Sequence, residues 1–456
     1  MRANAATFIL LCSCSSGLTE PSDSDTDVAD TEDTDLVVSP RPELPRIAEL
    51  QDLDPDEGSV RIKLVAAPKT LLVAGREIEG FAYNGQVPGP TLRLTRGDRV
   101  TAEIVNELDV PTTVHWHGLH VPNAADGAIW MREPIQPGSS VTVEFTVDQA
   151  GTYWYHPHFD TDRQVDLGLY GAIVVTDPID PAVDDEVVII ADSWGETDET
   201  QVHGAPGGTA LWTFNGVQDP VLPLNAGESA RVRWINASNE GYLDLRTPGP
   251  SRWIGVDQGL AAPHEGRELL APGDRADLEI PIGPEPFEIE LAAYSLFGGA
   301  VDDSVPASIR VDPEGSALAP ELLDWAFEAR PPSPDPGRTD LRFVFQGDGE
   351  RWYMNGEVYP DVSVPEVGLG SELFVEVRNV SPTEHPFHLH GHAFEVLSVN
   401  GTPPATRTLE DTVNVGIRET LRLRLVADNP GDWMVHCHIL GHAEGGMMTV
   451  LRVVNP

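Results

Sequence analysis

Cysteine is scarce in this sequence, with three residues among 456. Cys12 and Cys14 lie at the N-terminus, which leaves Cys437 as the only cysteine for the body of the chain. This arrangement excludes a disulfide framework inside the fold. Apolar runs are also short, and after the N-terminal segment none approaches the ~20 residues that a membrane-spanning helix needs.

Positive charge is scarce too. Lys and Arg together number 29 against 73 Asp and Glu, which gives a formal net charge of −44 at pH 7. Such an excess of negative charge excludes nucleic acid and anionic surfaces as partners. Two explanations for the charge stay open: it concentrates cationic reductants near the protein, or it serves solubility in a saline habitat.

The N-terminus predicts export. Residues 1–14 combine Arg2 with a short apolar run, Ala5 to Leu11, which is typical of a secretory signal. Leu11-Cys12-Ser13-Cys14 resembles a bacterial lipobox, so we expect Cys14 to carry a lipid that anchors a periplasmic or cell-surface protein, with the outer membrane favoured. Residues 15–45 are acidic and poor in apolar side chains, which predicts a disordered tether.

An internal repeat defines the rest of the chain. Asn-Gly pairs at 84, 215 and 355 each precede a glycine that is followed, nine residues later, by an asparagine: Gly97/Asn106, Gly227/Asn236 and Gly370/Asn379. Apolar residues alternate before each of these asparagines, as in a half-buried strand. Three copies predict three homologous β-domains, at 46–178, 179–315 and 316–456.

Histidine pairs lie in two of the three copies. The pairs have the form His-x-His and occupy positions 115/117, 156/158, 388/390 and 436/438. Residues i and i+2 of a strand share one face, so each pair presents two imidazoles side by side. The first pair begins nine residues after the asparagine in copies one and three, whereas copy two has Leu245 there. The first and third domains are therefore predicted to hold several metal ions between equivalent faces.

A second kind of site surrounds Cys437. Cys437 lies between His436 and His438, with His442 and Met447 shortly after. One thiolate, two histidines and a weak axial methionine form the ligand set of a blue-copper electron-transfer centre. A histidine from elsewhere completes it, and only the third domain carries the set.

Four motifs identify the family that the chain resembles. HWHG (115–118), HPH (156–158), HPFHLHGHAF (385–394) and HCHILGHAEGGM (436–447) resemble the copper signatures of three-domain bacterial multicopper oxidases of the laccase type. The resemblance covers about residues 60 to 456 and implies an all-β fold of three cupredoxin-like Greek-key β-barrel domains. It also implies four copper ions. Type 1 copper would take His385, Cys437, His442 and Met447; type 2 copper would take His115 and His388; the type 3 pair would take His117, His156 and His438 on one ion and His158, His390 and His436 on the other.

The implied activity couples one-electron oxidation of phenolic or similar small reductants to reduction of dioxygen to water. Cys437 is expected to take part in catalysis as a ligand of the type 1 copper. Asp126 resembles the family's acid near the type 2 copper. The position after His442 holds Ala443 instead of the acid found in relatives, so Glu444, Glu410 and Asp411 are the other candidate proton donors. The alternatives are a metallo-oxidase for Mn(II), Fe(II) or Cu(I) and a non-catalytic cupredoxin scaffold. We expect a monomer.

Overall fold

A computed structural model describes residues 40–73, 76–130, 132–194, 211–300, 304–348 and 351–455. Within these ranges the chain folds into three pairs of facing sheets, each built around its own apolar core, so the predicted all-β class is confirmed. No helix of the described residues is long and apolar enough to cross a membrane. Residues 1–39, with the predicted signal and Cys14, lie outside the described part.

The first sheet pair carries the first two histidine pairs. Its strands are β1 Ser59–Val73, β2 Arg76–Tyr83, β3 Gly89–Thr95, β4 Arg99–Asn106, β5 His115–His117, β6 Ser140–Thr146, β7 Gly151–His156 and β8 Gly171–Thr176, with a 3-10 turn at Asn123–Ala125 and helix α1 at Thr161–Asp166. The strand orders are β2-β1-β4-β6 and β3-β8-β7-β5.

The second sheet pair has the same plan with additional strands. Its strands are β9 Asp185–Trp194, β10 Leu211–Phe214, β11 Val221–Asn225, β12 Ser229–Asn236, β13 Leu243–Arg246, β14 Arg252–Val256, β15 Gly259–Glu265, β16 Arg267–Leu270, β17 Arg275–Pro281, β18 Phe287–Ala292, β19 Tyr294–Ser295, β20 Gly299–Ala300 and β21 Ala307–Glu314. The main sheets have the orders β10-β9-β12-β17-β14-β15 and β11-β21-β18-β13-β16, and β19 pairs with β20.

The third sheet pair carries the remaining ligands. Its elements are β22 Leu341–Gly347, β23 Trp352–Met354, β24 Glu366–Gly368, β25 Glu372–Asn379, β26 His385–Leu389, β27 Phe394–Val399, β28 Leu409–Glu410, β29 Thr412–Val415, β30 Thr420–Val426, β31 Gly431–Cys437, α2 Leu440–Glu444 and β32 Met448–Val454. The strand orders are β23-β22-β25-β30-β27-β28 and β24-β32-β31-β26-β29.

The repeated asparagines have the same role in each copy. Asn84, Asn215 and Asn355 have φ of 50°, 50° and 56°, a left-handed conformation that asparagine tolerates. The asparagine that ends β4, β12 and β25 donates from its side-chain amide to one carbonyl of the loop that follows and to a second carbonyl 29–36 residues further along the chain. In copies one and three this loop leads to the first histidine pair, so the asparagine fixes where the ligands begin.

One expectation about the strands is wrong. The strand before each repeated asparagine was predicted to be half-buried, and β4 and β25 largely alternate in that way, but every residue of β12 is buried. The reason is that Arg231 and Arg233 on β12 pair with the buried Asp277, and Trp325 covers Arg231 with ring and guanidinium 4.8 Å apart.

The predicted tether is wrong for its last residues. Arg41 donates to the Glu288 carboxylate at 3.0 Å and to the carbonyl of Ser308 at 2.8 Å, and Leu44 is buried in the second core. The hydrogen bonds of Arg41 and the burial of Leu44 hold residues 41–45 against the second sheet pair. The domain limits given by the sequence stay predictions.

Candidate metal centres

The histidine pairs meet where the first and third sheet pairs face each other. In the first, β5 pairs with β7 and His115 lies opposite His156; in the third, β26 pairs with β31 and His388 lies opposite His436. All eight histidines of the four pairs are buried. Equivalent strands of two copies of one fold thus bring eight imidazoles into one cluster.

The eight imidazoles are related by a pseudo-twofold axis. The rings of His115 and His390 stack with centroids 3.8 Å apart, and those of His388 and His117, their equivalents, stack at 3.9 Å. Likewise, the ring centroids of His158 and His436 are 5.1 Å apart, and those of their equivalents, His438 and His156, are 5.6 Å apart. The near-equal distances follow from the repeat, as the sequence predicted.

The hydrogen bonds leave one nitrogen free on each of several rings. His115, His156, His388 and His436 each donate from Nδ1 to a backbone carbonyl at 2.8–3.0 Å. A carbonyl only accepts, so Nε2 of each ring carries a lone pair. Among the described residues, Nε2 of His115, His156 and His388 and both ring nitrogens of His438 are buried without a hydrogen-bond partner. Buried nitrogens aimed at one another with no donor between them fit a cluster of metal ions.

Burial keeps these rings neutral. Burial and the neighbouring imidazoles lower the pKa of His156, His390, His436 and His438 well below its usual value, and that of His158 falls to about 3. A neutral imidazole is the form that binds a metal ion, so no proton has to be displaced at neutral pH.

The second sheet pair supplies support for the cluster. Arg275, at the start of β17, donates to Asp411 through Nη1 at 2.7 Å and Nη2 at 2.5 Å, and Gln258 donates to the same carboxylate. Asp411 in turn accepts a hydrogen bond from His117 Nε2 at 3.1 Å, which leaves His117 Nδ1 free. Burial alone would raise the pKa of Asp411, but the Arg275 guanidinium beside it holds that pKa well below its usual range.

Asp126 connects two of the imidazoles on the other side of the cluster. Its carboxylate accepts a hydrogen bond from His390 Nδ1 at 2.9 Å, and its carbonyl accepts from His115 Nδ1 at 3.0 Å. The other carboxylate oxygen is buried and has no hydrogen-bond partner among the described residues. Asp126 thus contacts two histidines of the cluster directly.

The cysteine site lies beside the cluster. His385 Nδ1 and His442 Nδ1 lie 3.4 Å and 3.7 Å from Cys437 Sγ and 3.1 Å from each other, so three ligand atoms converge on one point. Met447 is fully buried in the same core as Cys437. His385 donates from Nε2 to the Ser381 hydroxyl oxygen at 2.5 Å, which fixes the ring orientation and leaves the lone pair on Nδ1.

Among the residues that the structure describes, the Cys437 thiol contacts two histidines and a backbone amide but no lysine or arginine. Burial raises the pKa of Cys437, and the contact that opposes this is the Ile439 amide, 3.4 Å from Sγ. A thiol in such surroundings ionises only when a metal ion takes the place of its proton. The pair of histidines and the buried methionine then fit a soft, redox-active ion such as copper.

The comparisons with known proteins identify the family. Two multicopper oxidase family models match the chain, one over residues 66–180 and one over residues 331–456. The multicopper oxidase mco of Staphylococcus aureus is 30% identical over 411 residues, covering 84% of this chain and 86% of the relative. The chain belongs to the multicopper oxidase family. This multicopper oxidase is accordingly an oxidoreductase that binds copper and uses oxygen as acceptor.

Solved structures agree with this family assignment. A multicopper oxidase from Campylobacter jejuni, described as a metallo-oxidase, is 27% identical with a TM-score of 0.77, covering 91% of this chain and 96% of that protein. A laccase from Pediococcus acidilactici is 25% identical with a TM-score of 0.79, covering 91% and 94%. The likeness confirms the predicted cupredoxin-like fold.

Several predicted residues of this multicopper oxidase lie elsewhere. The Glu444 carboxylate accepts a hydrogen bond from the Thr161 amide at 2.8 Å, and no hydrogen bond of the described residues joins it to a ligand histidine. Glu410 accepts one from the Thr408 hydroxyl. No ligand role was predicted for the other four histidines: His392 hydrogen-bonds to the His390 carbonyl, His120 to Asp428 and His264 to Glu268, while His203 lies outside the described residues.

Sequence reasoning missed the support from the second domain and one aromatic side chain. Arg275, Gln258 and Asp257, whose carboxylate accepts from the Asp411 and Thr412 amides, carry no motif. Trp352 stacks on His442 with ring centroids 3.6 Å apart. No signal in the sequence marks Arg275, because charged and apolar residues alternate along β17 as in a half-exposed strand, although every residue of that strand is buried.

Proposed function

We propose that this multicopper oxidase is laccase-like, coupling one-electron oxidation of phenolic or similar small reductants to four-electron reduction of dioxygen to water. One observation carries the proposal: Cys437 is joined directly in sequence to His436 and His438, one from each half of the histidine cluster. A site that accepts single electrons and a site that stores several are thereby connected through a few covalent bonds.

The donor sets assign the ions. His385, Cys437, His442 and Met447 would hold the type 1 copper. His115 and His388 would hold the type 2 copper; His117, His156 and His438 would hold one type 3 ion and His158, His390 and His436 the other. Bound copper supplies one-electron redox chemistry at the first site and dioxygen binding at the cluster. The contact of His158 and His390 with His436 Nε2, at 3.4 and 3.0 Å, supports the last of these groups.

The side chains around the cluster orient ligands and supply protons. Asp411, held as a carboxylate by Arg275, fixes the ring of His117 through Nε2. Asp126 is our candidate proton donor, because its carboxyl contacts His390 and retains one oxygen without a hydrogen-bond partner among the described residues. Glu444 is the weaker candidate, since its carboxylate is engaged by the Thr161 amide.

A metallo-oxidase is the alternative function. The net charge of −44 would concentrate metal cations, and the neighbour from Campylobacter jejuni is described as a metallo-oxidase. Oxygen uptake by the copper-loaded protein, recorded in turn on 2,6-dimethoxyphenol, Mn(II) and Fe(II), distinguishes the two. A phenol preference in kcat/KM supports the laccase-like function, a metal-ion preference supports the alternative, and no uptake on any reductant refutes both.

We also propose an exported monomer anchored by a lipid on Cys14. The support is sequence alone: the apolar run before Leu11-Cys12-Ser13-Cys14 and the acidic segment after it. Mass spectrometry of the mature N-terminus tests the anchor, since an acylated N-terminal Cys14 is expected and an unmodified Met1 would contradict it.

A further inference from the structure

Ser381 lies in the loop that leads from the repeated asparagine Asn379 to His385, a proposed ligand of the type 1 copper. Its hydroxyl oxygen accepts the hydrogen bond from His385 Nε2 at 2.5 Å. The serine is 3% exposed and the histidine 0%, so this hydrogen bond is shielded from bulk water. The hydroxyl oxygen can therefore act on the electron density of the ligand ring without competition from solvent.

The other contacts of the hydroxyl fix the direction of this hydrogen bond. Two groups that only accept, the Asn379 side-chain oxygen at 2.9 Å and the Thr383 carbonyl at 3.0 Å, lie within reach of the single hydroxyl proton. The Thr383 amide donates to the hydroxyl oxygen at 3.3 Å. A hydroxyl has one proton and two lone pairs, so its second lone pair accepts from the His385 N–H. A hydroxyl that donates in this way is polarised and becomes a stronger acceptor.

The internal repeat separates this contact from the folding of the loop. The residue two positions after the repeated asparagine is Leu108 in copy one, Ser238 in copy two and Ser381 in copy three. Each donates from its backbone amide to the asparagine side chain, at 2.9, 3.1 and 2.9 Å, so the turn forms with or without a hydroxyl. The Ser238 hydroxyl bonds to Asn236 and Gly241, and it contacts no histidine among the described residues. The hydroxyl of copy three thus has a partner that the loop itself does not require.

Resting on the proposed function, we propose that Ser381 is a positioning residue that lowers the reduction potential of the type 1 site through His385. An imidazole that donates from Nε2 to an oxygen is a more basic ligand at Nδ1. The gain is larger for copper(II) than for copper(I), because the higher charge draws more strongly on the ligand lone pair. One electron from the reductant reduces copper(II) to copper(I), and the Nε2 proton stays on His385, so no covalent bond forms or breaks. A lower potential restricts the reductants to those that give up an electron easily, such as electron-rich phenols.

Anaerobic redox titration of the blue absorption measures this potential. Ser381→Ala removes the acceptor, Ser381→Thr keeps it, Ser381→Asp replaces it by a charged one, and Ser238→Ala is the matched control in the copy that has no ligands. Ser381→Ala should raise the equilibrium constant for reduction about tenfold, which is about 59 mV, because a hydrogen-bond partner of a metal ligand is lost. Ser381→Asp should lower it, since a carboxylate accepts more strongly. Ser381→Thr and Ser238→Ala should both keep the wild-type potential.

A second measurement uses the copper-free protein and needs no turnover. The His385 Nε2–H resonance, identified by its absence in His385→Gln, should move upfield in Ser381→Ala and stay in place in Ser238→Ala. A resonance that Ser381→Ala leaves unmoved would overturn the proposal.

The sign of the potential shifts separates the proposal from a structural role. Shifts of the same sign in Ser381→Ala and Ser381→Asp would make Ser381 a structural member of the loop and overturn the proposal. Where Ser381→Ala does not fold, Ser381→Asp decides: a lower potential supports the proposal, and an unchanged or higher one contradicts it. Wild-type protein that lacks blue absorption or oxygen uptake refutes the proposed function instead.

Discussion

Replacing Arg275 by leucine should destabilise the protein and disturb the cluster together. Arg275 and Asp411 are 0% and 1% exposed, and two hydrogen bonds of 2.7 and 2.5 Å join them. The substitution leaves a carboxylate buried between histidines without its counter-charge. Breaking a buried pair in this way costs about 3–5 kcal/mol. The loss of the hydrogen bond from Arg275 Nε to the Thr152 carbonyl, at 3.0 Å, adds to it.

Urea unfolding of the copper-free protein measures this loss without a contribution from metal binding. The matched control is Arg422→Leu, which removes a bidentate pair with Asp335 of 3.0 and 3.1 Å whose side chains are 12% and 31% exposed. Partial exposure limits that loss to about 1 kcal/mol. In the copper-loaded protein, Arg275→Leu should also alter the type 2 copper EPR signal, and Arg275→Lys should restore part of it. Equal destabilisation by the two leucine variants, or an unchanged EPR signal, would refute the reasoning.

Three further predictions concern other parts of the molecule. Gly273→Ala should lower copper occupancy, because φ there is +91° and a Cβ would lie 2.8 Å from the His438 ring. The control Gly337→Ala, also at positive φ but with no neighbouring atom within 4 Å, should keep the wild-type copper content. Equal copper contents in the two variants would contradict the clash. Burial raises the pKa of Glu410 from 4.5 to about 8, so its carboxyl is protonated in the folded state and its contribution to stability declines as pH rises from 4.5 through 8. The free energy of unfolding of Glu410→Gln, measured in urea titrations, should therefore rise relative to that of wild type across this interval. A difference between the two proteins that stays constant with pH would contradict this. Arg41→Ala should lower the free energy of unfolding by about 1 kcal/mol and leave the copper content unchanged, since a half-exposed pair is lost far from the ligands; loss of copper would contradict this.

The ligands could be predicted because their signal is local. A His-x-His pair on a strand presents two imidazoles whatever surrounds it, and the repeat fixed which strands are equivalent. The repeat showed which histidine pairs are equivalent but did not show which strands pair. The structure adds that His115 lies opposite His156 and that His388 lies opposite His436. The fold was predictable for the same reason.

The side chains around the ligands could not be predicted in this way. Arg275 contacts Asp411 across 136 residues of sequence, and its strand lies in the domain that has no ligands. Neither residue type nor periodicity marks such a pair, because a buried salt bridge depends on how two separate domains pack. Trp352 is a similar case, because an aromatic residue on a short strand is usually predicted to be a core residue. Its contact with His442 depends on α2 packing close to β23, which the sequence does not show.

Copper stoichiometry and absorption, measured on one sample of wild type and one of Cys437→Ser, test the central claim most directly. The account predicts four copper ions per wild-type chain with an intense blue absorption, and three ions with no blue absorption in Cys437→Ser, because the variant loses the thiolate ligand and keeps the histidine cluster. Blue absorption that persists in Cys437→Ser, or fewer than three ions in a folded variant, would contradict the assignment of a cysteine site separate from the cluster.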